Sequence, residues 1–291
     1  MDKIAVIQYL LARFVLWSLA NSPPALGNFY GMLLDVALPR LRRVAMRNLE
    51  LAYPEKTRAE RNVIAGEVFH SIGRLLYAFA RFPQINAQNI SNWIRYEGLE
   101  HFTEAKKAGR GILFATAHLG NWELSAFAHG LMTEPMHVVI RPLDNPRIDQ
   151  LVEQRRQLSG NHLIEKWDGA RAILRALQQN EAVGILIDQN TSLQEGAFVD
   201  FFGTPACANT AFAKIAARTG AAVIPGFALW SEPERRYVLR FYPPLEMSGD
   251  PVEDTQRLHA VLESVIREHP GQWLWIHRRW KTRPEGQNPI Y

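Results

Sequence analysis

From residue 112 onward the chain repeats one local theme: a short, densely apolar run followed by a stretch with helical spacing. Ile112-Leu113-Phe114-Ala115-Thr116 follows Gly109-Arg110-Gly111 and reads as a buried strand. His137-Val138-Val139-Ile140, Val183-Gly184-Ile185-Leu186-Ile187 and Ala222-Val223-Ile224, ahead of Pro225, read the same way. Tyr237-Val238-Leu239-Arg240-Phe241-Tyr242 alternates like an edge strand. Helical patterns fall at roughly 146–159, 168–179 and 208–219, and a last helix is expected from Pro251 to Glu268. Strands apolar along their whole length need cover on both faces, and helices between them supply it. The fold class that satisfies this is α/β: a mixed, mostly parallel central sheet flanked by helices.

The first 95 residues differ. An apolar segment runs from Ile4 to Ala20, interrupted by Gln8, Arg13 and Ser18. As a helix it measures roughly 25 Å, short of the ~30 Å of a bilayer core. Its polar positions do not share one face. Residues 1–22 are read as a membrane anchor or docking helix, with a buried core helix as the plainer alternative. Arg40, Arg42, Arg43 and Arg47 follow, a cluster that suits anionic headgroups, although alone it also suits a solvated helix face. Helical spacing returns from Arg58 to Phe82 and stops at Pro83. The expected organisation is a helix at 1–22 and a single α/β domain at 23–291, mostly helical over 23–100, with the sheet core and C-terminal helix in 108–291.

Composition narrows the function classes. With 47% hydrophobic residues and a net charge of +4, disorder is excluded as the main state. One cysteine, Cys207, excludes an intrachain disulfide and any multi-cysteine zinc site. It sits in the apolar Pro205-Ala206-Cys207-Ala208, the setting of an inert core thiol, and there is no GxSxG elbow, so a covalent acyl-enzyme is not favoured. The nine histidines form no HExxH, and no metal is expected. A pI near 9.3 favours phosphates, anionic lipid or an acidic protein, and no nucleic-acid motif accompanies it.

The sharpest local feature is His118-Leu119-Gly120-Asn121-Trp122-Glu123, directly after the first strand of the series. Ligand sites of α/β sheets collect at the carboxyl ends of strands. His118 and Glu123 would diverge by ~140° on one helix, so they converge only if His118 lies in the loop and Glu123 in the first turn. Asn121 is a good cap for that helix and Gly120 permits the turn. A carboxylate beside the imidazole would fix its tautomer and make His118 a general base, with helix amides available to an oxyanion. The plainer reading is a capping turn with a surface histidine. Arg141-Pro142-Leu143-Asp144-Asn145-Pro146, then Arg155-Arg156, and Asp188-Gln189-Asn190 stand at other strand ends and are expected around one pocket. The stretch Trp273 to Pro284 is aromatic and basic, and reads as a membrane-surface pattern or as a strand closing the sheet with a basic tail.

Together these residues resemble the bacterial lipid A biosynthesis acyltransferases, the late lauroyl/myristoyl type, within the lysophospholipid acyltransferase superfamily. The pieces that carry the resemblance are His118 to Glu123 as the HX4(D/E) motif, Arg141 to Pro146, Ile187-Asp188-Gln189, Val199 to Ala206, Arg218 to Ala221, and Trp273 to Pro284. The resemblance implies a glycerol-3-phosphate acyltransferase-like fold. It implies transfer of an acyl chain from an acyl carrier protein thioester to a hydroxyl of a lipid A precursor, with no metal or dissociable cofactor. His118 matches the general base and Glu123 its partner acid. Arg156 (or its neighbour Arg155), Asp188, Arg141 and Asn121 are the substrate-binding candidates. The implied place is the cytoplasmic face of the bacterial inner membrane. The alternatives are an acyltransferase on another membrane glycolipid or phospholipid, or a non-catalytic membrane-bound relative.

Overall fold

The computed structural model describes residues 3–166 and 169–291. Four helices come first: α1 (Lys3–Ala20), α2 (Ala25–Ala37), α3 (Pro39–Ala52) and α4 (Arg58–Ala80). Then β1 (Ile94–Glu97), α5 (Leu99–Ala108), β2 (Ile112–Thr116), α6 (Trp122–Met132), β3 (His137–Ile140), α7 (Pro146–Gln157), β4 (His162–Glu165), α8 (Ala170–Gln178) and β5 (Ala182–Leu186) follow. The chain ends with β6 (Gly196–Phe201), β7 (Thr204–Asn209), α9 (Ala211–Thr219), β8 (Ala222–Ser231), β9 (Arg236–Phe241) and α10 (Pro251–Glu268). The helix expected over 168–179 is α8; position 168 itself lies outside the described residues.

The main sheet has the order β1-β9-β8-β2-β5-β3-β4 and is parallel except between β8 and β9. This is the mixed, mostly parallel sheet that the apolar runs demand. Successive residues of β2 serve opposite faces. Ile112 and Phe114 join a core with Phe79, Phe82, Leu124 and Phe127, from α4, α6 and the turn after α4. Leu113 and Ala115 join one with Ile173, Leu177, Phe212 and Ala216 from α8 and α9. A third core, at the carboxyl end of β2, gathers Leu119, Phe201, Phe227, Trp273, Trp275 and Trp280.

Three expectations are corrected here. Residues 237–242 do not form an edge: β9 has β8 on one side and β1 on the other, and Tyr237, Val238 and Leu239 are buried in succession. The cover comes from β1, a four-residue strand about 140 positions away whose brevity hides it in the sequence. Pro225 does not end its strand. Residues 222–225 pair with β2 and residues 226–231 pair with β9, so the proline, which lacks an N–H, stands where the pairing changes partner. The stretch from Trp273 is neither a strand of the sheet nor a membrane-facing surface: Trp273, Trp275, Arg279 and Trp280 are among the largest fully buried side chains.

Beyond Val138 and Gly184 the strands β3 and β5 part. Their pairing covers two residues, whereas β2–β5 pairing covers five. A cavity of about 610 Å³ opens there, lined by Val138, Val139 and Ile140 on one side and Gly184 to Ile187 on the other. It lies at the carboxyl end of the sheet.

Candidate active site

The loop between β2 and α6 is held by backbone contacts on both sides. Gly120 has φ of +63°, and a Cβ there would lie 1.9 Å from the carbonyl oxygen of Ala228, so only glycine fits. The Gly120 N–H donates to Gln272 O at 2.9 Å and the Asn121 N–H to Ala228 O at 2.8 Å. Leu274 N–H donates to the His118 carbonyl at 2.9 Å. The Asn121 side chain accepts from Leu124 N–H at 3.0 Å and caps α6. His118 therefore lies in the loop and Glu123 in the first helical turn, as their spacing required.

The imidazole of His118 lies against Asp188, just past the end of β5. Nδ1 is 2.8 Å from Asp188 Oδ1, and the His118 backbone N–H donates to Oδ2 at 3.0 Å. The indole N–H of Trp273 also donates to Oδ2, at 2.8 Å. An ionised Asp188 accepts all three, which places the neutral ring's proton on Nδ1 and leaves Nε2 as an acceptor. His118 lines the cavity, and the Gln189 amide nitrogen approaches its Nε2 at 3.4 Å.

Glu123 is engaged elsewhere. Its carboxylate takes two hydrogen bonds from Arg156, from Nε at 2.9 Å and Nη2 at 2.6 Å. Both groups line the cavity with side chains less than a fifth exposed. The fork-on-fork geometry is the strong form of an ion pair. The carboxylate expected at the imidazole is thus Asp188, seventy residues away, while the local one holds an arginine. Of the two neighbouring arginines, Arg156 grips Glu123, whereas the buried Nε of Arg155 has no hydrogen-bond partner.

Two other expected contacts fall differently. Asn121 is fully buried and serves as a cap, and neither it nor Asp188 is on the cavity wall among the described residues. Arg141 stands at the rim, largely exposed, 3.8 Å from Asp144.

Charge in the site follows from these contacts. Burial pushes the His118 imidazole down, but the charge and hydrogen bond of Asp188, with help from Glu123, outweigh it, so the net shift is upward. Burial pushes Asp188 up, and His118 together with the Trp273 and backbone donors brings it far below the usual carboxylate range. Burial likewise opposes the charge of Arg156, and Glu123 more than restores it. Among the described residues, no three His, Cys, Asp or Glu side chains form a metal-ligand group.

The residues that sequence reasoning missed lie behind Asp188. Trp273 fixes it directly. His277 accepts the Asn190 N–H at 3.0 Å, and burial lowers its pKa to about 4. Fully buried Arg279 donates to Cys207 O at 2.6 Å, and burial brings its pKa to about 10. The aromatic-basic density of this stretch was the available signal; it marked packing beneath the site rather than a surface.

An imidazole tied to a carboxylate by one nitrogen and facing a cavity with the other is an arrangement suited to proton transfer. Comparison says which kind of protein holds it. The chain belongs to the bacterial lipid A biosynthesis acyltransferase family, whose sequence profile matches residues 3–282. It is 32% identical over 281 residues to the lipid A biosynthesis lauroyltransferase of Escherichia coli K12, covering 94% of this chain and 90% of the relative. The palmitoleoyltransferase of the same organism is 30% identical over 285 residues, covering 95% and 92%. Its myristoyltransferase is 25% identical over 268 residues, covering 91% and 82%.

Proposed function

We propose that this enzyme transfers a fatty acyl chain from an acyl carrier protein thioester to a hydroxyl of a lipid A precursor, at the cytoplasmic face of the bacterial inner membrane. The observation that carries the reading is the His118–Asp188 contact at 2.8 Å with Nε2 left to the cavity. In the reaction Nε2 takes the proton of the acceptor hydroxyl as its oxygen attacks the thioester carbonyl. Asp188 stabilises the imidazolium so formed. The tetrahedral intermediate then collapses, the carbon–sulfur bond breaks, and the departing thiolate receives the proton from Nε2. The Gln189 amide and the Glu123–Arg156 pair border this point. No metal and no dissociable cofactor take part in the proposed sequence.

The cavity and the charge support this substrate class. Phe114, Phe127, Met136 and Phe241 line its depth and suit a hydrocarbon chain. Arg141, exposed at the rim, meets the phosphate of the acceptor. A net charge of +4 favours both a phosphorylated lipid and an acidic carrier protein. The test is a mass-spectrometric assay of the purified protein with a panel of acyl carrier protein thioesters and a tetra-acylated, sugar-bearing precursor. A gain of one acyl group, absent with His118→Ala, is the expected result. Gain with the variant intact, or no gain with any thioester, overturns the proposal.

A further inference from the structure

We infer that α1 and α2 lie in the plane of an anionic lipid leaflet as a flat apolar raft, with α1 beside the cavity mouth, rather than α1 crossing the bilayer. The inference rests on the proposed membrane-borne acceptor but goes beyond it, to how the enzyme meets the lipid.

Eleven of the eighteen exposed large apolar residues among the described ones lie between residues 4 and 38. On α1 they are Ile4, Ile7, Leu10, Leu11, Phe14 and Trp17. At about 100° per residue these six fall in an arc of about 140°, opposite buried Leu16 and Leu19. Arg13 lies about 40° outside that arc. On α2, Phe29, Met32, Leu33 and Val36 continue the exposed face. A surface of this size and continuity marks an interaction site. Its surroundings indicate the partner. From residue 3 to the end of α3 there are six basic residues and two acids, Asp35 and Glu50, which pair with Arg42 and Arg47 and leave an excess of four cations. Apolar residues on one face and cations at the flanks match an anionic lipid interface.

At 18 residues α1 is only a few ångströms short of a bilayer core, and its apolar composition is that of a candidate span. The contacts at its two ends do not permit one. In the first turns, the Asn145 amide donates to Ala5 O at 2.9 Å and to Gln8 Oε1 at 3.1 Å. At the other end, Gln84 donates to Ala20 O at 3.3 Å, and Ser18 and Tyr30 share a hydroxyl contact at 3.0 Å. One globular body touches both ends of an 18-residue helix, so both ends share a side of the membrane. The hairpin cannot simply swing away. Gly27 and Gly31 of α2 abut α4 so closely that a Cβ on Gly31 would lie 2.4 Å from Phe69 O, and one on Gly73 would lie 2.2 Å from Gly27 O. In-plane burial also leaves Arg13 at headgroup level, where a mid-bilayer arginine would cost about 2.5–3.5 kcal/mol.

The raft adjoins the mouth. Asn145, which grips α1, closes the segment whose Arg141, Pro142, Leu143 and Asp144 line the cavity, and Leu143 is itself exposed. A lipid in the leaflet then enters beside α1 without leaving the membrane.

The test uses the full chain with Cys207→Ser and a single thiol at one end of α1, Lys3→Cys or Asn21→Cys. A membrane-impermeant maleimide is applied to inverted inner-membrane vesicles and to permeabilised-outer-membrane cells. Reaction of both positions from the same face is the expected result; reaction from opposite faces overturns the inference. In parallel, Leu11→Glu/Phe14→Glu is compared with the parent on phosphatidylethanolamine–phosphatidylglycerol vesicles. A fall of about a hundredfold in partitioning is expected. Unchanged partitioning, including a case in which the variant merely turns a dimer into a monomer, overturns it. Leu11→Ser/Phe14→Ser serves if the glutamates impair folding. Neither readout uses turnover, so failure of the proposed reaction and failure of the raft are distinguished.

Discussion

His118 and His129 line the same cavity and flank the same helix, one before α6 and one in its last turn, yet they live in opposite electrostatic worlds. At the mouth, Asp188 raises the His118 pKa against the pull of burial. Towards the interior, burial holds His129 at about 3, with Lys106 adding to the effect. Its Nδ1 meets the Tyr96 hydroxyl at 2.8 Å, and the rings of Phe102, Phe114 and Phe241 surround it edge-on. Burial by itself makes an imidazole a neutral filler; a buried carboxylate makes it a base. The cavity thus has one end where an imidazole is more readily charged and one where it is held neutral.

The contrast is open to direct attack. The largest effect is expected from His118→Ala, a loss of roughly 10²–10⁴ or more in single-turnover acyl transfer followed by mass spectrometry. Asp188→Asn keeps the shape but removes the charge, and a fall of comparable order is expected. It should also move the acid limb of the kcat/KM–pH profile to lower pH, because burial is then opposed only by the charge of Glu123. An unmoved limb would show that Asp188 is not what keeps the base chargeable.

Next in size comes the second pair. Glu123→Gln leaves the Arg156 guanidinium enclosed without its partner, and a stability loss of roughly 1–3 kcal/mol is expected in urea unfolding, discounted for partial exposure. Glu123→Gln/Arg156→Met should recover part of it in a double-mutant cycle.

Stability should also follow pH in a way specific to the His118–Asp188 couple. The lowered Asp188 contributes stability that is present above its unfolded value, about 3.9, and lost as pH falls below it. The raised His118 contributes stability that is full below about 6.5 and lost as pH rises through its folded value. Asp188→Asn should flatten both limbs of the urea midpoint against pH. The smallest effect is expected from His129→Leu: turnover within about threefold and an unshifted pH profile, since the group it removes is uncharged throughout the working range. A shifted profile would erase the distinction between the two ends.

Legibility in the sequence followed distance along the chain. The strand at 112–116, the loop histidine, the Asn121 cap and Glu123 in the first turn are local, and spacing with propensity reveals them. The pairing of β9 with β1 joins residues about 140 positions apart, and no local pattern reports it. Separations about half as long concealed the burial of Trp273 and Trp280 against Phe201. Their composition matches an interfacial belt as well as a core, and only packing against Phe201 distinguishes the two.

What the sequence determined by itself was an α/β sheet of buried strands and a histidine placed at the end of one of them, because a chain must hide such runs on both faces and turn after each. What only the tertiary structure decided was which acid serves which base. Glu123 is five residues from His118, but its helix directs it to Arg156; Asp188 is seventy residues away, but parallel pairing of β2 with β5 brings the two strand ends side by side. A carboxylate acts on an imidazole through a few ångströms of space, and strand pairing, not sequence proximity, set that distance.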